Sequence, residues 1–140
     1  PCCLVGSEMC IRDSNKSGLH TEYLDNGMRM ESNYKDGMKH GREIYWYANG
    51  QQASEGSYED NMLEGTLTYW YENGLKASEG FYKDNKLEGT LRAWNEEGQI
   101  ESEQDYKNAL LNGKSIFYEN GVKTKEYVLK DGNIKGKIND

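Results

Sequence analysis

The sequence has little of what most proteins use to build a compact core or a catalytic centre. Its one proline is Pro1, its only histidines are His20 and His40, and its three cysteines all fall within residues 1–14. The remainder of the chain therefore has no cysteine for a disulfide or a thiolate metal site. No run of residues approaches the roughly 18 consecutive apolar positions that a membrane-spanning helix requires.

The balance of apolar and charged residues limits the function classes further. Only 35% of the 140 residues are hydrophobic, whereas 11% are aromatic, so any core must rely on tyrosine and tryptophan. The formal net charge is −7, which argues against binding nucleic acid or anionic lipid through bulk electrostatics. The length and composition indicate a single domain.

Residues 1–14 stand apart from the rest. The run from Cys3 to Asp13, Cys-Leu-Val-Gly-Ser-Glu-Met-Cys-Ile-Arg-Asp, resembles one reading frame of the transposon end and adaptor used to prepare sequencing libraries. We therefore expect residues 1–14 not to be native protein, and the native N-terminus with any signal peptide to be missing. Residues 15–140 then form one repeat domain. The alternative is that the pair Cys2-Cys3 is native and serves a lipid anchor or a metal site, but no lipobox precedes Cys10 and no histidine cluster accompanies any of the three cysteines.

A period of 24 residues organises the rest of the chain. Trp46, Trp70 and Trp94 are 24 residues apart. The same spacing separates Glu31, Glu55, Glu79 and Glu103, and also Tyr34, Tyr58, Tyr82 and Tyr106. Five units begin near Gly18, Gly41, Gly65, Gly89 and Gly113. A fixed period of this length indicates a repeat array whose units cannot bury an apolar face alone.

Two turn signals in each unit predict a β-hairpin repeat. The first signal is Asn-Gly in four units and Glu97-Gly98 in the fourth unit. The second is Asp-Gly or Asp-Asn, with Asn108-Ala109 as the exception. Both fit two-residue type I′ turns, in which both central residues have positive φ. The sequence therefore predicts an all-β fold, an elongated antiparallel β-meander of about ten strands built of tandem 24-residue two-stranded hairpins.

Two-residue turns would also fix which residues share a face of the sheet. The predicted cross-strand pairs in the third unit are Trp70 with Ala77, Thr68 with Glu79, Tyr82 with Leu87 and Gly80 with Gly89. One face would carry Leu67, Tyr69, Tyr71, Tyr82 and Leu87, and the other Thr68, Trp70, Ala77, Glu79 and Phe81. A three-residue turn with a bulge would shift one strand and exchange these assignments.

The third unit resembles a known repeat family. Residues 69–89, Tyr-Trp-Tyr-Glu-Asn-Gly-Leu-Lys-Ala-Ser-Glu-Gly-Phe-Tyr-Lys-Asp-Asn-Lys-Leu-Glu-Gly, are similar to the variant MORN repeat of bacteria, and the resemblance extends from Gly18 to Gly136. Proteins built mostly of such repeats are often described as antitoxins of bacterial toxin–antitoxin systems, and MORN repeats in general as protein- or membrane-binding modules. The resemblance brings no catalytic residue set with it.

Catalytic and metal-binding readings find little support in the residues. The two histidines lie at different phases of the repeat, which argues against a metal site or a triad. The glutamate column recurs in every unit, whereas chemistry needs one distinct site. We expect these glutamates to be structural, for instance accepting hydrogen bonds from Thr68 or Thr90. We therefore predict no enzyme activity, no cofactor and no metal.

An aromatic column offers the candidate binding residues. It comprises Tyr23, Trp46, Trp70, Trp94 and Phe117. These rings form either the packed spine, which we favour because the chain has little else to bury, or an interaction stripe. In the second case a partner protein contacts an acidic, aromatic patch or the tyrosine face opposite. The patch consists of Trp46, Trp70, Trp94, Glu55, Glu79 and Glu103.

Two function hypotheses from different classes follow. The first is a non-catalytic protein-binding module, an antitoxin or immunity-type protein that covers a basic toxin, with its negative charge speeding encounter. The alternative is a structural or envelope-associated repeat scaffold. The acidic charge argues against nucleic acid as a ligand and disfavours membranes. The bacterial cytoplasm is favoured over secretion.

Overall fold

The computed structural model describes residues 16–138, and the expected adaptor-derived segment 1–14 lies outside them. These residues form one antiparallel sheet of twelve strands. The strands are β1 (Gly18–Tyr23), β2 (Arg29–Lys35), β3 (Met38–Trp46), β4 (Gln52–Glu59), β5 (Met62–Leu63), β6 (Gly65–Trp70), β7 (Lys76–Lys83), β8 (Lys86–Trp94), β9 (Ile100–Lys107), β10 (Leu110–Glu119), β11 (Val122–Lys130) and β12 (Asn133–Ile138).

The strand order confirms the predicted all-β meander. Each strand pairs with its neighbours in sequence, and only β5 lies off the path, paired with β4. The count exceeds the predicted ten for two reasons. The first strand of the third hairpin is divided into β5 and β6. The residues around Gly136, where a sixth unit begins, add β12.

The second turn of each unit follows the prediction. Asp84 and Asn85 have φ of 50° and 63°, and the equivalent pairs in the other units also have two positive values. Asn108 and Ala109 adopt the same conformation, with φ of 49° and 65°. Asparagine, aspartate and glycine tolerate this region, whereas alanine is strained in it.

The first turn differs from the prediction in four of the five units. In the third unit the Gly74 N–H donates to the Tyr71 carbonyl at 2.9 Å and the Tyr71 N–H to the Leu75 carbonyl at 2.8 Å. Gly74 alone has positive φ, at 87°. This is a three-residue loop that ends in a glycine bulge. Only Asn120-Gly121 forms the predicted two-residue turn, with two positive φ values of 51° and 75°.

A second bulge restores the predicted faces. Trp70 pairs with Lys76 and Tyr69 with Ser78, so Ala77 is an extra residue on β7 and not the partner of Trp70. The predicted pairing of Thr68 with Glu79 is then recovered. Because the three-residue turn and the bulge shift the register in opposite senses, Thr68 keeps its predicted face.

The glycines of the second hairpin pair differently from the prediction. Tyr82 pairs with Leu87 as expected, but the register then shifts, and Glu79 pairs with Arg92. Gly89 therefore does not face Gly80 and pairs instead with Tyr106 on the following strand. A Cβ on Gly80 would lie 2.9 Å from Cδ1 of both Leu87 and Leu91. Leucines, rather than the expected rings, thus fill the depression at this glycine.

The sheet is a single layer whose two faces differ in chemistry. We call one the tyrosine face; it carries Tyr45, Tyr58, Tyr69, Tyr82 and Tyr106 with leucines between them. We call the other the glutamate face; it carries Glu31, Glu55, Glu79, Glu103 and Glu126. No other element of residues 16–138 covers either face. Accordingly, the buried hydrophobic side chains of this range are only Ala53, Leu63 and Leu129.

Side chains at the first turns join the second repeat to the third and the third to the fourth. The Tyr47 hydroxyl donates to the Trp70 carbonyl at 2.7 Å, and Tyr71 donates to Trp94 at the same distance. Alongside, Asn49 Nδ2 donates to the Glu72 carbonyl at 2.9 Å. These bonds recur at repeat spacing and satisfy loop carbonyls that the sheet ladder leaves free.

The second turns carry a matching clamp on the opposite edge. The Asn85 N–H donates to the Leu63 carbonyl at 3.1 Å, and Asn85 Oδ1 accepts the Leu63 N–H at 2.7 Å. Asn61 makes the same two bonds with Lys39. At Ala109 only the backbone bond to Leu87 remains.

Replacing Ala109 by asparagine should stabilise the protein. The change relieves strain of about 1 kcal/mol at a positive φ and offers an acceptor to the Leu87 N–H, worth about 1 kcal/mol more. Urea denaturation measures the gain. Ala109→Gly is the matched control, because it relieves the strain without adding the acceptor. Equal stability of the two variants would contradict the clamp.

Candidate binding faces of the sheet

The predicted patch residues do lie on one face. On successive strands Glu55 faces Thr68, Thr68 faces Glu79, and Glu79 faces Arg92, which faces Glu103. The glutamates therefore form a row on the glutamate face, two strands apart, as the repeat spacing predicts. Trp70 is two residues beyond Thr68 on the same strand, so the tryptophans form a parallel row beside them.

Each glutamate of the row is already paired with a basic side chain of the chain itself. The pairs are Arg29 with Glu31 (3.3 Å), Arg42 with Glu55 (2.7 Å), Lys76 with Glu79, Arg92 with Glu103 (3.0 Å) and Lys123 with Glu126 (2.7 Å). The expected donors Thr68 and Thr90 do not fill this role; Thr90 Oγ1 donates to Asp105 Oδ1 at 2.8 Å. The row is thus locally charge-balanced, which weakens it as a docking site for a basic partner.

Glu103 accepts hydrogen bonds from both neighbouring strands, β8 and β10. The Tyr118 hydroxyl donates to its Oε1 at 2.7 Å, and Arg92 Nε donates to its Oε2 at 3.0 Å. The Tyr118 hydrogen bond, supported by Arg92 and opposed by burial, lowers the pKa of Glu103. The same bond raises the pKa of the Tyr118 hydroxyl.

Two of the three tryptophans, Trp46 and Trp94, lie under basic side chains of the preceding repeat. The Arg29 guanidinium lies 5.1 Å from the centre of the Trp46 ring, and Lys76 Nζ lies 5.8 Å from that of Trp94. All three tryptophans are of intermediate exposure, which fits the packed spine that the sequence favoured. Phe117 does not belong to this row. It pairs with Ser102, opposite Ala93, which places it on the tyrosine face.

The tyrosine face contains a depression at the second and third units. Its volume is about 400 Å³. It is lined by Met28, Glu43, Tyr45, Tyr47, Ala53, Ser54, Gly56, Tyr58, Leu67 and Tyr69. Four of these residues are tyrosines, and one is a carboxylate.

Glu43 is the unusual residue of this depression. It is 6% exposed, and on the sheet it occupies the position that Leu67 and Leu91 hold in the next two units. The Ser32 hydroxyl donates to its Oε2 at 2.6 Å, and Lys39 Nζ lies 2.5 Å from the same oxygen. A buried carboxylate needs such partners, since desolvation of the charge is costly.

The charges of this cluster alter the ionisation of its neighbours. Burial raises the pKa of the Tyr45 and Tyr58 hydroxyls, and the negative charge of Glu43 adds to the effect. Burial on its own lowers the pKa of Lys39, but the hydrogen bond and charge of Glu43 outweigh it and raise the pKa overall. Lys39 therefore carries its positive charge at neutral pH and lies next to the Glu43 carboxylate.

Glu43 was not among the residues that the sequence singled out. The signal for it is present once the units are aligned on their tryptophans. The segments Arg42-Glu43-Ile44, Thr66-Leu67-Thr68 and Thr90-Leu91-Arg92 then coincide, so a charged residue stands where two units have leucine. Periodicity directs attention to what recurs, and this residue is an exception to the repeat.

The remaining candidates have ordinary surroundings. The rings of His20 and Tyr34 are nearly perpendicular, with their centroids 5.2 Å apart, and His40 Nδ1 lies 3.6 Å from Asp60 Oδ1. Within residues 16–138 no group of three or more histidine, cysteine, aspartate and glutamate side chains is placed to hold a metal ion. The same part of the chain contains no helix suited to spanning a membrane.

Replacing Glu103 by glutamine tests the paired carboxylate row. Because the folded pKa of Glu103 is lowered, its contribution to stability is complete above the ordinary value of 4.5 and is lost as pH falls through the folded pKa. We expect the variant to be less stable than the wild type by about 1 kcal/mol at neutral pH. The difference should shrink in acid.

Urea denaturation at pH 7, 5, 4 and 3 measures this difference. Glu101→Gln is the matched control, since Glu101 is exposed and next but one in sequence. A gap that stays constant from pH 7 to 3 would contradict the role of the Glu103 carboxylate.

Comparison with known proteins gives a family match and two distant structural likenesses. The crystal structure of accessory secretory protein 1,2 and 3 in Streptococcus pneumoniae is similar at 14% identity and a TM-score of 0.40, covering 74% of this chain and 19% of that one. The crystal structure of TarM is similar at 11% identity and a TM-score of 0.41, covering 86% and 21%.

This chain spans about a fifth of the length of either solved chain, and neither likeness bears on function. No curated protein matches the sequence. The family model described as MORN repeat variant matches residues 39–60, 63–84 and 87–108. The resemblance read from the sequence is thereby confirmed for three segments in the middle of the chain, which are repeats of the MORN variant type.

Proposed function

We propose that this chain is a non-catalytic protein-binding repeat module and that its partner covers the tyrosine face. MORN repeats suggest a module for binding or scaffolding. The observation that carries the proposal is the uncovered aromatic face, on which Tyr69 is 47% exposed beside a depression of about 400 Å³. Half-exposed tyrosines around a concave site are typical of the energetic centre of a protein interface.

The contacts on the two faces favour the tyrosine face over the predicted patch. Both carboxylate oxygens of Glu55 and of Glu103 already accept hydrogen bonds, so a ligand cation would have to displace a partner there. Glu79 is paired with Lys76. Trp46 and Trp94 are covered by Arg29 and Lys76. On the tyrosine face no basic side chain of the described residues lies over the Tyr69 ring, which is 47% exposed. A partner can therefore contact this ring without displacing another side chain.

The finer form of the proposal is an antitoxin or immunity-type protein that neutralises a basic toxin by covering it. The formal net charge of −7 supports this form, because it would speed encounter with a basic protein. The same charge argues against nucleic acid and anionic membranes as ligands. Liposome flotation would reveal membrane binding directly.

A structural or envelope-associated scaffold is the second candidate. The clamps at both edges of the sheet favour it, because they join successive repeats into one continuous ribbon. The genomic sequence upstream of the coding region separates the candidates. A neighbouring toxin-like reading frame supports the antitoxin, and a signal peptide supports the scaffold.

Co-expression with the product of such a reading frame is the direct test. A growth assay reports neutralisation, and calorimetry with the purified pair reports affinity. Tyr69→Ala should weaken binding at least tenfold, about 1.4 kcal/mol, and leave the melting temperature nearly unchanged, because the ring is half exposed. Full growth rescue and unchanged affinity in this variant would refute the tyrosine face as the docking site.

Trp70→Ala is the counterpart on the glutamate face. Loss of this partly buried ring should lower stability by about 2 kcal/mol and leave the affinity of the folded protein unchanged. Thermal melting and calorimetry below the melting temperature measure the two effects. Lost affinity at an unchanged melting temperature would instead support the tryptophan and glutamate patch.

A further inference from the structure

Glu43 makes the depression on the tyrosine face unlike any other place in the repeat array. The position is filled by leucine in the next two units, so the fold does not require a carboxylate there. A leucine would bury apolar surface without the desolvation cost that a charge carries. The carboxylate thus lowers the stability of the fold relative to leucine, and residues that do so are typical of functional sites.

The partners of Glu43 leave one of its two oxygens available. Both the Ser32 hydroxyl and Lys39 Nζ bind Oε2. Oε1 has no hydrogen bond or ion pair among the described residues, and Glu43 lines the depression. The two partners that hold the carboxylate in place therefore leave Oε1 as an acceptor for a ligand.

The walls of the depression suit a cation. Aromatic ring faces carry negative electrostatic potential and attract ammonium or guanidinium groups. The chain itself uses one wall in this way, since Lys39 Nζ lies 5.0 Å from the centre of the Tyr58 ring. Tyr45 and Tyr69 present further rings to the same space.

We infer that this depression receives an arginine side chain of the partner protein, with its guanidinium donating to Glu43 Oε1 and lying against the rings of Tyr45 and Tyr69. This inference rests on the proposed function and names the partner chemistry of its site. Arginine fits better than lysine because a planar guanidinium stacks on rings and donates sideways at once. Lys39 already supplies the one ammonium that the carboxylate holds.

A small probe tests the inference on the free chain. The probe is Nα-acetyl-arginine-amide, and its neutral isostere Nα-acetyl-citrulline-amide is the ligand control. Titration followed by NMR should show saturable shifts centred on Tyr45 and Tyr69. Citrulline-amide should bind at least fivefold more weakly, and so should Nα-acetyl-lysine-amide. Equal binding of either control compound, or no saturable shift, would overturn the inference.

Two variants of Glu43 give a second, independent arm. Glu43→Leu installs the residue of the neighbouring units, and Glu43→Gln keeps the shape while removing the charge. Each should weaken the arginine probe at least fivefold, whereas Glu79→Gln, on the glutamate face, should leave it unchanged. If the leucine variant does not fold, the glutamine variant decides. Wild-type affinity in the folded variant refutes the site.

The partner complex separates this inference from the proposed function. A partner that binds wild type and Glu43→Gln equally, but loses affinity for Tyr69→Ala, refutes the arginine site and leaves the binding module intact. A chain that binds the arginine probe but neutralises no neighbouring gene product has the site and lacks the proposed antitoxin function.

Discussion

The constraint on which the structure depends is that the side chains of residues 16–138 have only one sheet to pack against. A sheet with no second layer cannot exclude water from either face, and very few apolar side chains of residues 16–138 are buried. Cohesion must therefore come from neighbours within the layer. The recurrence of the same contacts at repeat spacing, from Tyr47 to Trp70 and from Tyr71 to Trp94, shows how the chain meets this requirement.

The two faces meet the requirement in different ways, and this difference is the basis of the proposed docking site. On the glutamate face, ion pairs and covered tryptophans satisfy the side chains internally. On the tyrosine face, rings and leucines lie side by side with their outer surfaces in solvent, as at Tyr69. A face that is satisfied within the chain gains little from a partner, whereas an aromatic face gains by losing water.

The sequence was sufficient for the architecture because its signals are local and repeated. The period, the Asp-Asn turns and the alternation along the strands predicted the meander and both faces. The first turns were misread because Asn-Gly fits both a two-residue turn and a three-residue loop with a glycine bulge. No local signal marks Ala77 as the compensating extra residue. The bulge can be inferred only by comparing the third unit with the first, which is one residue shorter and has no register shift between its two strands.

The proposed binding site is less predictable because it departs from the repeat. Trp46, Trp70 and Trp94 were singled out as conspicuous, and all three are partly buried. Their assignment to a partner remains a prediction. Glu43 was missed because a glutamate on a polar sheet is unremarkable until its burial and its leucine counterparts are known. What marks it is context in three dimensions, which periodicity alone does not supply.

Native-state hydrogen exchange tests the central claim that contacts between neighbouring repeats hold this single layer together. A one-dimensional array with open ends should be most protected in its middle, where each repeat has two neighbours. The account predicts the slowest exchange in β4 to β8 and progressively faster exchange toward β1 and β12. Uniform protection across all strands, or faster exchange in the middle than at the ends, would contradict it.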